Sequence, residues 1–384
     1  MSQRWAMLLV IFFTRTALGF QFQSIAALTP FLVAAFDLSW AQVGLLMGLF
    51  MLPGVVFALP GGLLGQRFGS LRVVIAGLGL MIVGGMLVAY AGGFGTAALG
   101  RTLAGIGGVL VNIMLARMVA DWFRGRELQT AIGLMLAAWP FGMALALLAS
   151  WRVAEYATVV GAALALGVMA LTYQEPPGAD GGEVARPRLN VPAHVWTLAI
   201  SAGIAYALLN ASVIVVASFA PSFLMARGAS VSGAGLITGA ALWISIASVP
   251  LGGLVADRVN RPRPLMIAGC LLAAVGMVCI AWAPMPGVWM VVTGILLGLP
   301  PSIMMALLPR AVPAEHLATA LGVFYMLFYL GMAVSQTLAG LLRDLTGDPA
   351  MPLLFAATLM VLTVPAVALF WRIEARPVRG DSQV

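Results

Sequence analysis

Gly62-Leu-Leu-Gly-Gln66-Arg67-Phe-Gly69-Ser-Leu-Arg72 returns, altered, as Gly253-Leu-Val-Ala-Asp257-Arg258-Val-Asn-Arg261-Pro-Arg263. The copies are offset by 191 residues, from 62 to 253, about half the length of a 384-residue chain. A second echo pairs Arg126-Glu127-Leu128 through Ala131-Ile-Gly133 with Glu315-His316-Leu317 through Ala320-Leu-Gly322. Self-similarity at half length says that one structural unit is used twice.

The residues around these loops say what the unit is made of. The chain is 62% apolar and 9% charged, with a mean hydropathy of +1.05, whereas a soluble domain carries about 25% charged residues. It is therefore read as a membrane protein. A transmembrane barrel would alternate polar and apolar residues, but Val73–Ala91 is apolar on both parities. Hydropathy predicts twelve helical spans, at about 5–32, 42–65, 72–91, 96–118, 128–149, 155–174, 194–220, 231–256, 264–283, 288–310, 315–342 and 351–371. The expected fold is all-α and integral to the membrane, with twelve transmembrane helices in two six-helix pseudo-symmetric halves. Residues 1–174 form the first half, 175–193 a Pro/Gly-rich linker, 194–371 the second half and 372–384 a basic tail. Cys270 and Cys279 share one apolar span and read as small hydrophobes. The first span is too long for the apolar core of a signal peptide and is read as retained.

All 20 basic residues are arginine. With the N-terminus cytoplasmic, fifteen of them fall inside: Arg4, Arg67, Arg72, Arg117, Arg124, Arg126, Arg186, Arg188, Arg258, Arg261, Arg263, Arg310, Arg372, Arg376 and Arg379. Only Arg152, Arg227 and Arg343 fall outside, and Arg15 and Arg101 lie within spans. The positive-inside rule then puts both termini in the cytoplasm, in a multi-pass protein of the bacterial inner (plasma) membrane. The net charge of +7 is a topology signal, and no nucleic-acid partner is expected.

The Gly-x-x-x-(Asp)-Arg-x-Gly-x-x-Arg loop and Arg101-Thr-Leu-Ala-Gly105-Ile-Gly107 resemble the signature motifs of the major facilitator superfamily. Gln66 stands where that loop usually carries an acid, and Ala138-Trp139-Pro140-Phe141-Gly142 only loosely resembles the family's antiporter motif. The run Arg15-Thr-Ala-Leu-Gly-Phe-Gln-Phe-Gln-Ser24 is most similar to the cyanate-permease-like branch. The resemblance implies that helices 1, 2, 4, 5, 7, 8, 10 and 11 surround a central cavity. It also implies that the repeated loops lie against helices 5 and 11. On that basis Arg67, Asp121, Asp257 and Arg258 are expected to latch the halves in an outward-open state, or else only to enforce topology. Gln66, Glu127 and Glu315 belong to the same gating or structural set, the two glutamates in the first turns of spans 5 and 11, where carboxylates complement the helix dipole. Arg101, on the motif arginine, is expected to be structural or gating rather than a direct substrate contact.

Polar side chains within spans must face protein or a wet cavity. Spans 3, 6, 9 and 12 carry almost none at their centres and can face lipid. In span 1, Arg15 shares a helical face with Gly19, Phe22 and Ala26, with Gln23 at its flank. It either anchors structure by bonding carbonyls and glutamines or awaits an anionic substrate group. The lack of a carboxylate at its depth in spans 1–5 favours the substrate. Asn112 in span 4, Asn210 with Tyr206 in span 7, and Tyr325, Tyr329, Met332 and Gln336 on one face of span 11 complete the expected cavity set. Trp139 in span 5 and Trp243 in span 8 either wall the path or simply pack. Pro53, Pro60, Pro140, Pro300, Pro301 and Pro365 are expected to kink or hinge their spans.

The expected activity is secondary or facilitative transport of a small anionic solute by alternating access around Arg15. Asp37, Glu155, Asp344 and Asp348 read as outer-loop residues, leaving no intramembrane acid to carry a proton. Uniport, exchange for another anion, or a proton entering with the substrate therefore fit best. The rivals are an exporter of amphipathic drugs and a non-transporting receptor or scaffold. No Ser/His/Asp set, metal-spaced cluster or phosphate-cradling Gly-Lys loop is present, so neither an enzyme nor an ATP-driven pump is expected. No cofactor or metal is expected either. The bilayer is the only other expected partner, and the chain is expected to act as a monomer.

Overall fold

The computed structural model describes residues 3–58, 60–124, 127–149, 151–176, 191–259, 261–305 and 307–375. Most of the expected linker, most of the basic tail, Arg126, Arg186, Arg188, Arg376 and Arg379 lie outside the described residues, as do the side chains of Gln66 and Asp257.

Among the described residues every regular element is an α-helix. The first set is α1 (Gln3–Phe36), α2 (Trp40–Leu49), α3 (Pro53–Phe57), α4 (Gly61–Phe68), α5 (Ser70–Ala89), α6 (Phe94–Trp122), α7 (Leu128–Leu148) and α8 (Trp151–Thr172). The second is α9 (Ala193–Ala226), α10 (Val231–Val259), α11 (Pro262–Trp282), α12 (Pro286–Leu296), α13 (Leu299–Met305), α14 (Leu307–Ala311), α15 (Ala314–Thr346) and α16 (Met351–Glu374). Eleven helical stretches are long and apolar enough to cross a bilayer, and Tyr156–Thr172 of α8 adds a shorter apolar one.

Proline marks the interruptions within the second and tenth spans. The second span breaks into α2, α3 and α4, with Pro53 opening α3 and Pro60 standing as the N-cap of α4. A ring without an N–H is tolerated at a helix start and breaks the ladder elsewhere. The tenth span is interrupted between α12 and α13, with Pro300 in the first turn of α13, and residue 306, between α13 and α14, lies outside the described residues. Pro140 and Pro365, by contrast, lie inside the unbroken α7 and α16.

Within the first set α1 packs on α7 and α8, and α5 on α6 and α8. Within the second, α9 packs on α15 and α16, and α11 on α12 and α16. The peripheral helices α5, α8, α11 and α16 expose Val83 and Met86, Val160 and Leu164, Leu272 and Val275, and Leu362 and Leu369. Apolar surface of that extent suits a lipid neighbour.

The two sets meet at the end of the bundle remote from the chain termini, where α2 lies on α15 and α7 on α10. Glycine makes this closeness achievable. A Cβ at Gly44 or Gly48 would run into the backbone carbonyls of Gln336 or Ala333, one at Gly340 into that of Trp40, and one at Gly235 into that of Leu147. At the terminal end α4 packs on α5 and α6, and α14 on α9, α13 and α15, each within its own set. Among the described residues the bundle is thus sealed at the far end and parted at the terminal end, where no comparably extensive contact joins the two sets.

Candidate functional site

Arg15 sits about 18 Å along α1 at 1.5 Å per residue, and only 8% of it is exposed. Its Nη1 donates to Asn112 Oδ1 on α6 at 2.6 Å, and its Nε is buried without a partner. Asn112 Nδ2 in turn donates to the Tyr329 hydroxyl on α15 at 3.2 Å. One hydrogen-bonded relay therefore runs from α1 through α6 and crosses to the second set. Gly54 of α3 lets the Tyr329 ring lie flush on the first set, since a Cβ there would collide with the ring. Tyr206 and Tyr325 also lie within electrostatic range of Arg15.

Around the relay the walls are aromatic. On the second set Tyr206 stacks on Phe324 at 4.8 Å between centroids and leans on Phe328 at 5.2 Å. Tyr325 meets Phe324 edge-on at 5.3 Å, and Phe328 meets Tyr329 at 5.1 Å. On the first set Phe22 touches Trp139 at 5.3 Å and Phe50 at 5.7 Å. Phe141 and Trp243 stack across the two sets at 6.1 Å. Gly105 and Gly108 admit Phe50 to its seat, and Gly19 and Gly142 bring α1 and α7 into backbone contact.

Arg101 is spent differently. Its Nε donates to the Leu46 carbonyl at 3.0 Å, Nη1 to that of Gln21 at 2.8 Å and Nη2 to that of Phe22 at 3.0 Å. The guanidinium also covers the Phe50 ring at 4.6 Å, and the residue is 1% exposed. All three nitrogens are occupied in tying α1, α2 and α6 together.

The other expected cavity residues divide. Gln23 Nε2 reaches across the sets to the Ala217 carbonyl on α9 at 2.8 Å, while Gln336 Nε2 bonds Ser218 Oγ at 3.0 Å. They form a second polar cluster nearer the sealed end, eight residues from Arg15 along α1 and seven from Tyr329 along α15. Asn210, expected to face the cavity, turns its amide back to the Tyr206 carbonyl at 2.9 Å.

The sealed end has a lock that sequence reasoning missed. Asp344, expected in an outer loop, lies inside α15, which runs on to Thr346. Its carboxylate accepts from the Trp40 and Ala41 amides at 2.9 and 2.8 Å, so the second set caps the start of a helix in the first. Arg343, 7% exposed, donates to Ser222 Oγ at 2.7 Å and lies over the Trp40 ring at 3.3 Å. The signal in the sequence was only the Arg-Asp pair ending an apolar run.

At the parted end Asp121 and Glu127 pair within their own set. Asp121 pairs with Arg124 at 3.0 Å and Arg117 at 3.7 Å, and Glu127 with Arg4 at 2.9 Å. Glu127, expected in the first turn of its span, is instead the left-handed N-cap residue of α7. Glu315 lies 3.6 Å from His316, and Arg67 and Arg258 are exposed. Gln66 and Asp257 stand in α4 and α10. Among the described residues, the buried charges are Arg15, Arg101 and Arg343.

Known proteins share this architecture. A family model described as Major Facilitator Superfamily matches residues 8–227 and again residues 202–383. The inner membrane transport protein YajR of Escherichia coli (strain K12) is 24% identical over 339 residues, 83% of this chain and 73% of YajR. The uncharacterized MFS-type transporter YhhS of the same organism is 26% identical over 296 residues, 73% of this chain and 65% of YhhS. Among solved structures, the inward-open xylose transporter XylE from E. coli aligns with a TM-score of 0.78 at 16% identity, covering 98% of this chain and 97% of XylE. A bacterial homolog of the human lysosomal transporter Spinster, inward-facing and occupied, aligns with a TM-score of 0.76 at 18% identity, covering 97% of each chain.

Proposed function

Since the chain belongs to the Major Facilitator Superfamily, we propose that it transports a small anionic solute across the bilayer by alternating access, with Arg15 as the binding charge. The observation that carries this reading is the partnerless Nε of a buried guanidinium. An arginine near the bilayer centre costs at least about 2.5–3.5 kcal/mol. Arg15 receives one neutral amide in return and no acid among the described residues. A carboxylate or comparable anion would supply both the missing charge and the missing acceptor.

The asymmetry of fifteen arginines against three puts the terminal end in the cytoplasm, of a bacterial inner membrane. The sealed far end is then the outer face, and the solute reaches Arg15 from inside. Opening the outer face requires α2 to leave α15, breaking the Asp344 cap, the Arg343–Trp40 stack and the Gln23–Ala217 bond. As the halves rock, the cytoplasmic ends close, and Arg67, Asp121, Asp257, Arg258 and their neighbours latch them. No buried carboxylate lies among the described residues, which favours uniport, anion exchange or a proton riding with the substrate.

The test is uptake of radiolabelled small monoanions into proteoliposomes. Wild type should show saturable uptake, and Arg15→Gln should lose it. Full uptake by Arg15→Gln would end the proposal. The broad aromatic wall favours, as a second reading, an exporter of amphipathic drugs; lipophilic cations moved equally by wild type and Arg15→Gln would select it.

A further inference from the structure

The surroundings of Arg15 restrict more than the sign of the solute. Its Nη1 is turned to Asn112, so the edge left over is the Nε side, which with Nη2 matches the two oxygens of one carboxylate. No second free cation is at hand among the described residues. Arg101 is consumed by three carbonyls, and Arg343 is held at the sealed end by Ser222 and Trp40. A monoanion leaves the site neutral. A dianion would leave one uncompensated charge facing tyrosine hydroxyls and apolar rings, which weakens its binding.

Shape comes from the walls. Tyr206, Tyr325 and Phe328 are only half-buried, and they belong to one continuous ladder of rings on α9 and α15. The first set adds Phe22 on α1 and the half-buried Trp139 on α7. A planar ring offers offset or edge-on contacts to such walls beyond the area covered. An aliphatic chain forgoes those contacts, and an inorganic anion leaves the ring faces to water. A solute with a carboxylate at one end and a ring at the other also touches both halves, the charge held by α1 and α6 and the ring by α9 and α15. That two-sided grip is what binding must do to favour one arrangement of the halves over another.

Resting on the anion reading above, we infer that the solute is an aromatic monocarboxylate of the benzoate class. The test is equilibrium binding to the purified full chain, followed by ligand-induced shift in melting temperature. Benzoate, cyclohexanecarboxylate, propionate, terephthalate and benzamide are compared on wild type, Arg15→Gln, Arg15→Lys and Tyr206→Leu. Benzoate should bind at least tenfold tighter than propionate, cyclohexanecarboxylate or terephthalate, and benzamide should not bind. Arg15→Lys should weaken benzoate about tenfold, and Tyr206→Leu should erase its advantage over cyclohexanecarboxylate while sparing propionate. Propionate binding as tightly as benzoate, with both lost in Arg15→Gln, overturns the aromatic inference and leaves the anion reading standing. Benzamide binding as well as benzoate, with no effect of Arg15→Gln, overturns the anion reading itself. If Arg15→Gln fails to fold, the five compounds on wild type decide between these outcomes.

Discussion

Arg15 and Arg101 are both buried in the first set of helices, and both project from helices that reach the sealed end. They differ in what their nitrogens do. Arg101 donates from all three to backbone carbonyls of α1 and α2, whereas Arg15 donates from one to a side chain and keeps another empty. Burial alone therefore does not mark a functional charge. The number of donors left over does, because a satisfied buried guanidinium has little to gain from a ligand and an unsatisfied one has much.

The largest effect should come from Arg101→Leu. It strands three carbonyls that now accept charged bonds, each worth about 1.5–3 kcal/mol. The protein should lose most of its folded yield, read by size-exclusion profile and melting temperature. A well-folded Arg101→Leu protein would erase the distinction between the two arginines. Next, Arg15→Gln should cut uptake about a hundredfold or more while the ligand-free melting temperature holds or rises, since a costly charge is removed. A fall as deep as that of Arg101→Leu would make Arg15 a structural tie as well. Asn112→Leu frees Nη1 without removing the charge, so uptake should survive with KM raised about tenfold. Unchanged kinetics would mean that the relay does not orient Arg15. The smallest effect belongs to Tyr329→Phe, which deletes one neutral bond between the halves, about 1 kcal/mol. It should raise cysteine accessibility at the sealed end a few-fold and leave stability nearly intact.

Much of this was legible in the sequence because lipid penalises polarity. Arg15, Asn112 and Tyr329 violate otherwise apolar spans, and the structure joins these three. The repeated loop likewise announced two sets of helices before any packing was known. What escaped had local physical reasons. Charge ends a hydropathy signal but not a helix, so Arg343 and Asp344 read as loop residues although α15 continues to Thr346. That the Asn210 amide also bonds the Tyr206 carbonyl one turn back is a detail no periodicity reveals. Pro53 and Pro300 signalled bends, but whether a proline bends, breaks or leaves a helix intact depends on neighbours that supply the missing bonds. Nothing in the sequence distinguishes Gly44, Gly48 and Gly340, because their partners lie on a helix of the other set.

That glycine seam sets backbone against backbone, with no side chain standing between α2 and α15 at those points. Parting it releases few rotamers, and the charges it uncovers, Arg343 and Asp344, sit at its outer end, so along the glycines themselves ionic strength has little to act on. The two faces separate like plates, and the space between them must be taken from the surrounding lipid. Turnover should then follow the lateral pressure and chain length of the bilayer more closely than the salt of the medium, making the membrane a reactant in every transport cycle.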